Sequence, residues 1–242
     1  MNDPSRRLLL AAALLLSVAG AQAATGSGKP ATETRDVSGF SAISLRGNIN
    51  VVVRQGAREA VQVTADDNLL PLLQATVEGS GDNRALRIQW KPGESVRTKT
   101  EPVVTVDVVH LGAVASSGSG DIKNGPLKTP ALSLSISGSS DAKVDHLDTT
   151  QFSISIAGSG DVRASGQALK LDIAIAGSGD VRTRELAADD VSISIAGSGD
   201  ADVQANKTLA VSIAGSGDVE YRGAATLAKS RVAGSGSIRQ RP

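Results

Sequence analysis

Cysteine is absent from the 242 residues, so neither disulfides nor thiol chemistry can contribute, and the redox compartment must be read from elsewhere in the chain. Aromatic residues amount to 2%: Phe40, Trp90, Phe152 and Tyr221. A thick globular core usually spends more aromatic area than that, whereas a narrow stack of Ile, Leu, Val and Ala does not need it. An excess of either charge is missing too, since 25 Lys and Arg balance 25 Asp and Glu. Without a one-signed field no nucleic-acid partner is expected. The two histidines, His110 and His146, stand isolated in the chain, and no Ser-His-Asp order or metal-ligand cluster accompanies them. No catalytic residue and no cofactor are assigned.

Long hydrophobic runs are also scarce. The one that stands out, Leu8 to Ala19, follows Arg6-Arg7 and precedes the small-residue site Ala21-Gln22-Ala23. This is the three-part pattern of a secretory signal over residues 1–23, and the run is too short for a good membrane span. Without a cysteine after the cleavage site there is no lipoprotein anchor. The mature chain is expected to be exported, to the periplasm or to the cell surface and beyond, with no membrane span after cleavage. Residues 24–35, rich in Gly, Ser, Thr and Pro without an apolar period, read as a disordered leader.

From residue 36 to 110 short apolar stretches such as Phe40 to Leu45, Ile49 to Arg54, Ala60 to Ala65 and Val103 to Val109 alternate with glycine punctuation, which predicts irregular N-terminal strands. Asp66-Asp67-Asn68 before Leu69-Leu70-Pro71-Leu72-Leu73 admits two readings: a helical turn capped by Asp67 or Asn68, or a set of metal ligands. Gly79-Ser80-Gly81-Asp82 reads as an ordinary hairpin turn.

Residues 111–242 are dominated by one motif. Gly118-Ser119-Gly120-Asp121 returns as Gly138 to Asp141, Gly158 to Asp161, Gly177 to Asp180, Gly197 to Asp200 and Gly215 to Asp218, then degrades to Gly234-Ser235-Gly236-Ser237. The steps are 18 to 20 residues. Before each corner, branched residues alternate with small polar ones, as in Phe152, Ile154 and Ile156 or Val191, Ile193 and Ile195, which marks a strand with one buried face. After the Asp a small apolar residue opens a second strand, and Leu127, Leu147 and Leu186 lie where the next corner needs a plug. A unit this short cannot hold a strand and a helix. Stacking successive units in parallel satisfies each strand's backbone on its neighbours. The fold class is therefore all-β: a parallel β-helix or solenoid, right-handed by the usual crossover rule, with about 19 to 20 residues per turn.

Stacking places Asp121, Asp141, Asp161, Asp180, Asp200 and Asp218 in one column. Adjacent carboxylates about 4.8 Å apart repel by ~0.9 kcal/mol even in water, so something must offset them. Either each Asp accepts hydrogen bonds from the amides of its own glycine corner, or a cation such as Ca²⁺ lies between neighbours. Both glycines of the corner are expected at positive φ. The outward positions of the long strands carry Ser133, Ser135, Ser153, Ser155, Ser192, Ser194 and Ser212. They read either as a ladder of hydroxyl contacts or as an interaction face, docking on the N-terminal strands or on a second copy of the chain.

The segments Val37-Ser38-Gly39-Phe40-Ser41-Ala42-Ile43, Gly47-Asn48-Ile49-Asn50-Val51-Val52-Val53 and Asp67-Asn68-Leu69-Leu70, followed by the serial Ser-Gly-Ser-Gly-Asp corners, resemble the putative auto-transporter adhesin head GIN domain, a domain of unknown function in exported bacterial proteins. The resemblance covers roughly residues 36 to 240. It implies a single GIN-type β-solenoid over 36–242 and an adhesive or scaffolding role in the cell envelope, toward an envelope protein or polysaccharide, without catalytic residues. A carbohydrate-active β-helix enzyme, a polysaccharide lyase or hydrolase, is the alternative.

Overall fold

The computed structural model describes residues 23–81 and 84–242. The signal-peptide reading, apart from Ala23, lies outside the described residues, as does Asp82 of the expected hairpin turn. Strands run in chain order as β1 Ala24–Thr25, β2 Pro30–Arg35, β3 Ala42–Gly47, β4 Asn50–Gln55, β5 Ala60–Asp66, β6 Leu73–Glu78, β7 Ala85–Trp90, β8 Val96–Arg97, β9 Val103–Val108 and β10 Ala113–Gly118. They continue as β11 Ile122–Asn124, β12 Leu127–Gly138, β13 Ala142–Gly158, β14 Val162–Gly177, β15 Val181–Gly197, β16 Ala201–Gly215, β17 Val219–Arg222, β18 Thr226–Gly234 and β19 Ile238–Gln240. One 3₁₀ turn, Leu70–Leu72, interrupts them.

The repeated half is a parallel β-solenoid of about six turns. In the stretch leading into each corner register is kept residue for residue: Ile136 lies on Ile156, Ile156 on Ile175, Ile175 on Ile195 and Ile195 on Ile213. These side chains are at most 2% exposed. Each such Ile contributes on the order of 1.5 to 3 kcal/mol by leaving water, and its β-branch suits the pleat. Phe152, the one aromatic of the central columns, is fully buried. Leu127, Leu147 and Leu186 are buried at their corner as expected.

The N-terminal strands are less irregular than their sequence. β3 pairs in parallel with β10, bringing Gly47 onto Gly118, and β4 pairs in parallel with β11. Gly47-Asn48-Ile49-Asn50 is thus a solenoid corner without the motif. Beneath it β7 pairs with β3 and β9 with β4, again in parallel. The chain therefore lays down the turn at 42–55 first, adds the turn at 85–108 below it, and then crosses to residue 113 to continue above.

Residues 24–35 correct the expectation of a disordered leader. β1 pairs with β8, and β2 pairs antiparallel with β5 in unbroken register from Pro30 with Asp66 to Arg35 with Val61. Backbone pairing to an existing edge, rather than burial of an apolar face, orders this segment, so it carries no apolar period. β6, antiparallel to β7, covers the neighbouring edge. With the 3₁₀ turn these strands close one end of the stack, where Leu69, Leu70 and Leu73 are at most 2% exposed.

Candidate functional site

At the repeated corner the two glycines do different work. Gly158 has φ +145°, a conformation that only glycine adopts freely. Gly160 does not have positive φ, contrary to the sequence expectation. A Cβ there would sit 2.0 Å from the carbonyl oxygen of Ser140 and 3.1 Å from Ile136 Cγ2, so close stacking is what demands glycine. Ser140 occupies the same position one turn lower and carries a Cβ. In the column where other turns hold Ile the turn below it has Ser116, and the two buried hydroxyls lie 2.8 Å apart in a hydrogen bond. A polar pair thus replaces the Ile and Gly combination at one level.

The Asp column is tied between turns rather than within them. The amide of Asp161 donates to Asp141 Oδ1 at 2.9 Å, that of Asp180 to Asp161 at 3.1 Å, that of Asp200 to Asp180 at 3.0 Å and that of Asp218 to Asp200 at 2.8 Å. Each of these carboxylates holds the amide of the next corner, which corrects the expectation that it serves its own. Below them Asp121 donates its amide to Asn50 Oδ1 at 2.8 Å, and above them Ser237 donates both amide and hydroxyl to Asp218 Oδ1 at 2.8 Å. Neutral residues therefore terminate the column at both ends.

Arginine offsets part of the remaining repulsion. Arg182 reaches Asp161 and Asp180, each at 2.8 Å. Its hydrogen bond to Asp161, with the charges of Asp161, Asp180 and Asp200, holds the guanidinium above its ordinary pKa despite partial desolvation. The Ser237 hydroxyl and amide, helped by the charge of Arg239, hold Asp218 below the usual carboxylate range. Among the described residues no three His, Asp or Glu side chains converge as a group able to hold a metal ion.

The serine face is built as the alternation predicts. Ser133 stacks on Ser153, then Asp172, Ser192 and Ala210; Ser135 stacks on Ser155, then Ala174, Ser194 and Ser212. Ser133, Ser155, Ser192 and Ser194 are exposed, and Ser135, Ser153 and Ser212 half-exposed. The expected hydroxyl ladder does not form: among the described residues none of these seven hydroxyls has an intramolecular hydrogen-bond partner. Nor do the N-terminal strands dock here, because they stack on the end of the solenoid. Asp172 is the one charge within the face, 3.4 Å from the side-chain amide of Gln151.

Two features escaped the sequence reading. The first is a groove of about 980 Å³ along another corner, lined by Gln55, Lys128, Asp148, Gln167, Leu169 and Asp189 among others. Its carboxylates are engaged, Asp148 by Lys128 at 2.9 Å and Asp189 by Lys207 at 2.8 Å. The Lys128 bond, joined by that of Gln167, holds Asp148 below its ordinary pKa. Leu169, 55% exposed, is the apolar element of this groove. Register shifts in the strands beneath it interrupt the alternation that would have revealed it.

The second is Asp66, fully buried in the N-terminal cap. Burial alone would raise its pKa, but the amides of Lys99, Thr100 and Gly28, with the Thr100 hydroxyl, outweigh it and hold the carboxyl below its usual value. Neither Asp67 nor Asn68 caps the 3₁₀ turn, whose first residue follows Leu69 without a side-chain cap. Both instead bind the leader, Asn68 Oδ1 accepting the Ser27 amide at 2.8 Å and Asp67 Oδ1 accepting the Ser27 hydroxyl. The three residues sensed as cap or metal ligands are the clasp of residues 26–29.

With this geometry in place, the relationship to known proteins is specific. The model of the putative auto-transporter adhesin, head GIN domain, matches residues 39–225. The chain belongs to this family. A crystal structure of a putative adhesin from Bacteroides fragilis is similar at 25% identity and TM-score 0.82, over 90% of this chain and 99% of its own. One from Parabacteroides distasonis, also described as a putative adhesin, is 26% identical with TM-score 0.72, over 91% and 100%. A structure described as a putative lipid binding protein from Parabacteroides distasonis shares the fold at 24% identity and TM-score 0.75, over 91% and 100%. None of the curated proteins matches the chain. No helix among the described residues is long and apolar enough to cross a membrane.

Proposed function

We propose that this GIN-domain protein is an exported, non-enzymatic binding module of the bacterial cell envelope, periplasmic or at the surface, that meets its target through the serine face. The observation that carries this reading is a flat surface spanning five levels of the stack, from Ser133 to Ala210, whose serine hydroxyls have no hydrogen-bond partner among the described residues. A strand face exposed only to water usually carries Lys, Glu and Thr; one of Ser and Ala lets another surface approach closely and offers hydroxyls to it. Rigid stacking fixes these hydroxyls relative to one another, which lowers the ordering cost on binding. Membership in an adhesin family supports a binding role.

The hydrolase or lyase alternative gains nothing from the groove. Asp148 and Asp189 are spent in ion pairs, whereas sugar hydrolysis uses two carboxyl groups free to exchange protons across the scissile bond.

The test is binding of the purified protein to bacterial envelope fractions, compared with the double variant Ser155→Lys and Ser194→Lys. Lysines at these exposed positions should weaken binding by about tenfold or more through desolvation and bulk, with the thermal midpoint unchanged. Prior digestion of the fractions with protease or glycosidase distinguishes a protein from a polysaccharide target. Equal binding by variant and parent would refute the serine face as the site.

A further inference from the structure

The two ends of the solenoid are finished differently, and the open end carries a second interaction surface. β18 is exposed at all nine of its positions. Among the described residues it pairs with β16 alone and β19 with β17 alone, so the outer edge of each strand has no backbone partner there. Leu227 and Val232, stacked on the buried Leu209 and Ile213, are 40% and 41% exposed. They extend the core columns by one level that nothing in the structure covers. An edge of this kind is a template for strand addition.

Charge decides what can be added. From Tyr221 to Pro242 the chain holds Arg222, Lys229, Arg231, Arg239 and Arg241 and neither Asp nor Glu. Arg222 is paired with Asp202 at 2.8 Å and Arg241 with Glu220. Lys229 and Arg231, on the outward face of β18, have no hydrogen-bond or ion-pair partner among the described residues. Against a second copy placed end to end, these two cations would meet their own counterparts, and like charges directly opposite on paired strands are destabilising. The corner also stops: Ser237 stands where the six motif corners below it have Asp, so the carboxylate that holds the next amide is missing. The end therefore disfavours another copy of the chain and suits an acidic strand.

We propose that the C-terminal turn takes up an extended, acidic segment of another polypeptide by β-augmentation. Apolar residues of that segment cover Leu227 and Val232, and its alternate carboxylates lie beside Lys229 and Arg231. Lys229 and Arg231 lie one level beyond Ala210 and Ser212, at the end of the serine columns, but the proposal concerns the open strand edge and does not rest on the serine-face reading.

The experiment uses a labelled, end-blocked peptide of the same nine-residue length as β18, alternating glutamate with valine, in anisotropy titrations against the full chain. A lysine and valine twin and an N-methylated acidic twin serve as comparisons. The acidic peptide should bind at least about tenfold more tightly than the lysine twin. N-methylation, which removes the backbone donors, should abolish binding. The double variant Lys229→Glu and Arg231→Glu, with its thermal midpoint confirmed as unchanged, should reverse the order of the two charged peptides. Equal binding of the N-methylated peptide would reduce the effect to charge attraction and overturn the proposal. So would an order of affinities unmoved by charge reversal, absence of binding by either peptide, or a doubled sedimentation mass that Val232→Lys abolishes, which would assign the end to a second copy.

Discussion

The N-terminal and C-terminal ends of this stack face the same problem, a last turn whose apolar face and backbone edge have no further turn to meet, and answer it in opposite ways. At the N-terminal end β6 runs antiparallel along β7 and β5 along β9, β2 adds a further antiparallel strand on β5, and Leu69, Leu70 and Leu73 are buried there. At the C-terminal end the last turn is ordinary in its pairing and unfinished in its packing, with Leu227 and Val232 in contact with solvent. The difference shows that a repeat array supplies its own interior but not its own ends. One end here is sealed by irregular sequence; the other is guarded by Lys229 and Arg231.

Matched truncations at the two ends should break this comparison most visibly. Leu73→Ala removes a side chain that is 2% exposed and should cost about 2 to 5 kcal/mol in chemical denaturation, the range for cavity-forming core truncations. Val232→Ala, in a column that is buried elsewhere but open here, should cost less than about 1 kcal/mol. Similar losses at the two sites would mean that the C-terminal turn is covered in solution.

Adding a methyl group sharpens the same contrast at smaller scale. Gly160→Ala puts a Cβ 2.0 Å from the Ser140 carbonyl oxygen, deep in the stack, and should destabilise by roughly 1 to 3 kcal/mol, as overpacking does. At Gly236 the new Cβ meets the Gly217 oxygen at 2.2 Å, but no turn lies above to hold the strand down. Gly236→Ala should therefore lower the thermal midpoint by less than half as much.

Acid probes the sealed end by itself. Asp66 has its pKa depressed below the ordinary value of 3.8, so its contribution is present above that value and is lost as pH falls through the depressed one. Amide hydrogen exchange in β2 should therefore accelerate below about pH 4 while exchange in β14 and β15 does not. Asp66→Asn should accelerate exchange in β2 already at neutral pH and erase the acid step. An unchanged pH profile in that variant would show that another carboxylate fastens the cap.

The repeated half was legible because its constraints are local and recur. Gly158 and Gly160 are demanded by a conformation and a contact that each turn repeats, and Ile156 or Ile195 by a column that each turn extends. The turn at 42–55 hid because Gly47-Asn48-Ile49-Asn50 keeps the corner's first glycine but none of the other motif residues, and because stacking order departs from chain order. The order of residues 24–35 was invisible for a different reason. It derives from the edge of β5 and from Asp66, Asp67 and Asn68, some 40 residues away. Of the candidate sites, the positions of the serines and aspartates could be read from alternation and spacing. Which amide each carboxylate holds, and that the serine hydroxyls are left unbonded, depend on distances between turns that no single turn encodes.

The chain's route through its first turns has a kinetic meaning. Because 85–108 lies beneath 42–55 and the cap strands precede both or lie between them, every contact that closes the lower end is available once residue 108 has been made. A chain emerging N-terminus first can thus complete a capped nucleus before its first regular repeat exists. Later turns are then added on one side only, each over a short contour and onto a template already in place, so loop closure stays inexpensive however many repeats follow. Growth of this solenoid has a fixed direction, and its youngest turn is the one that remains open.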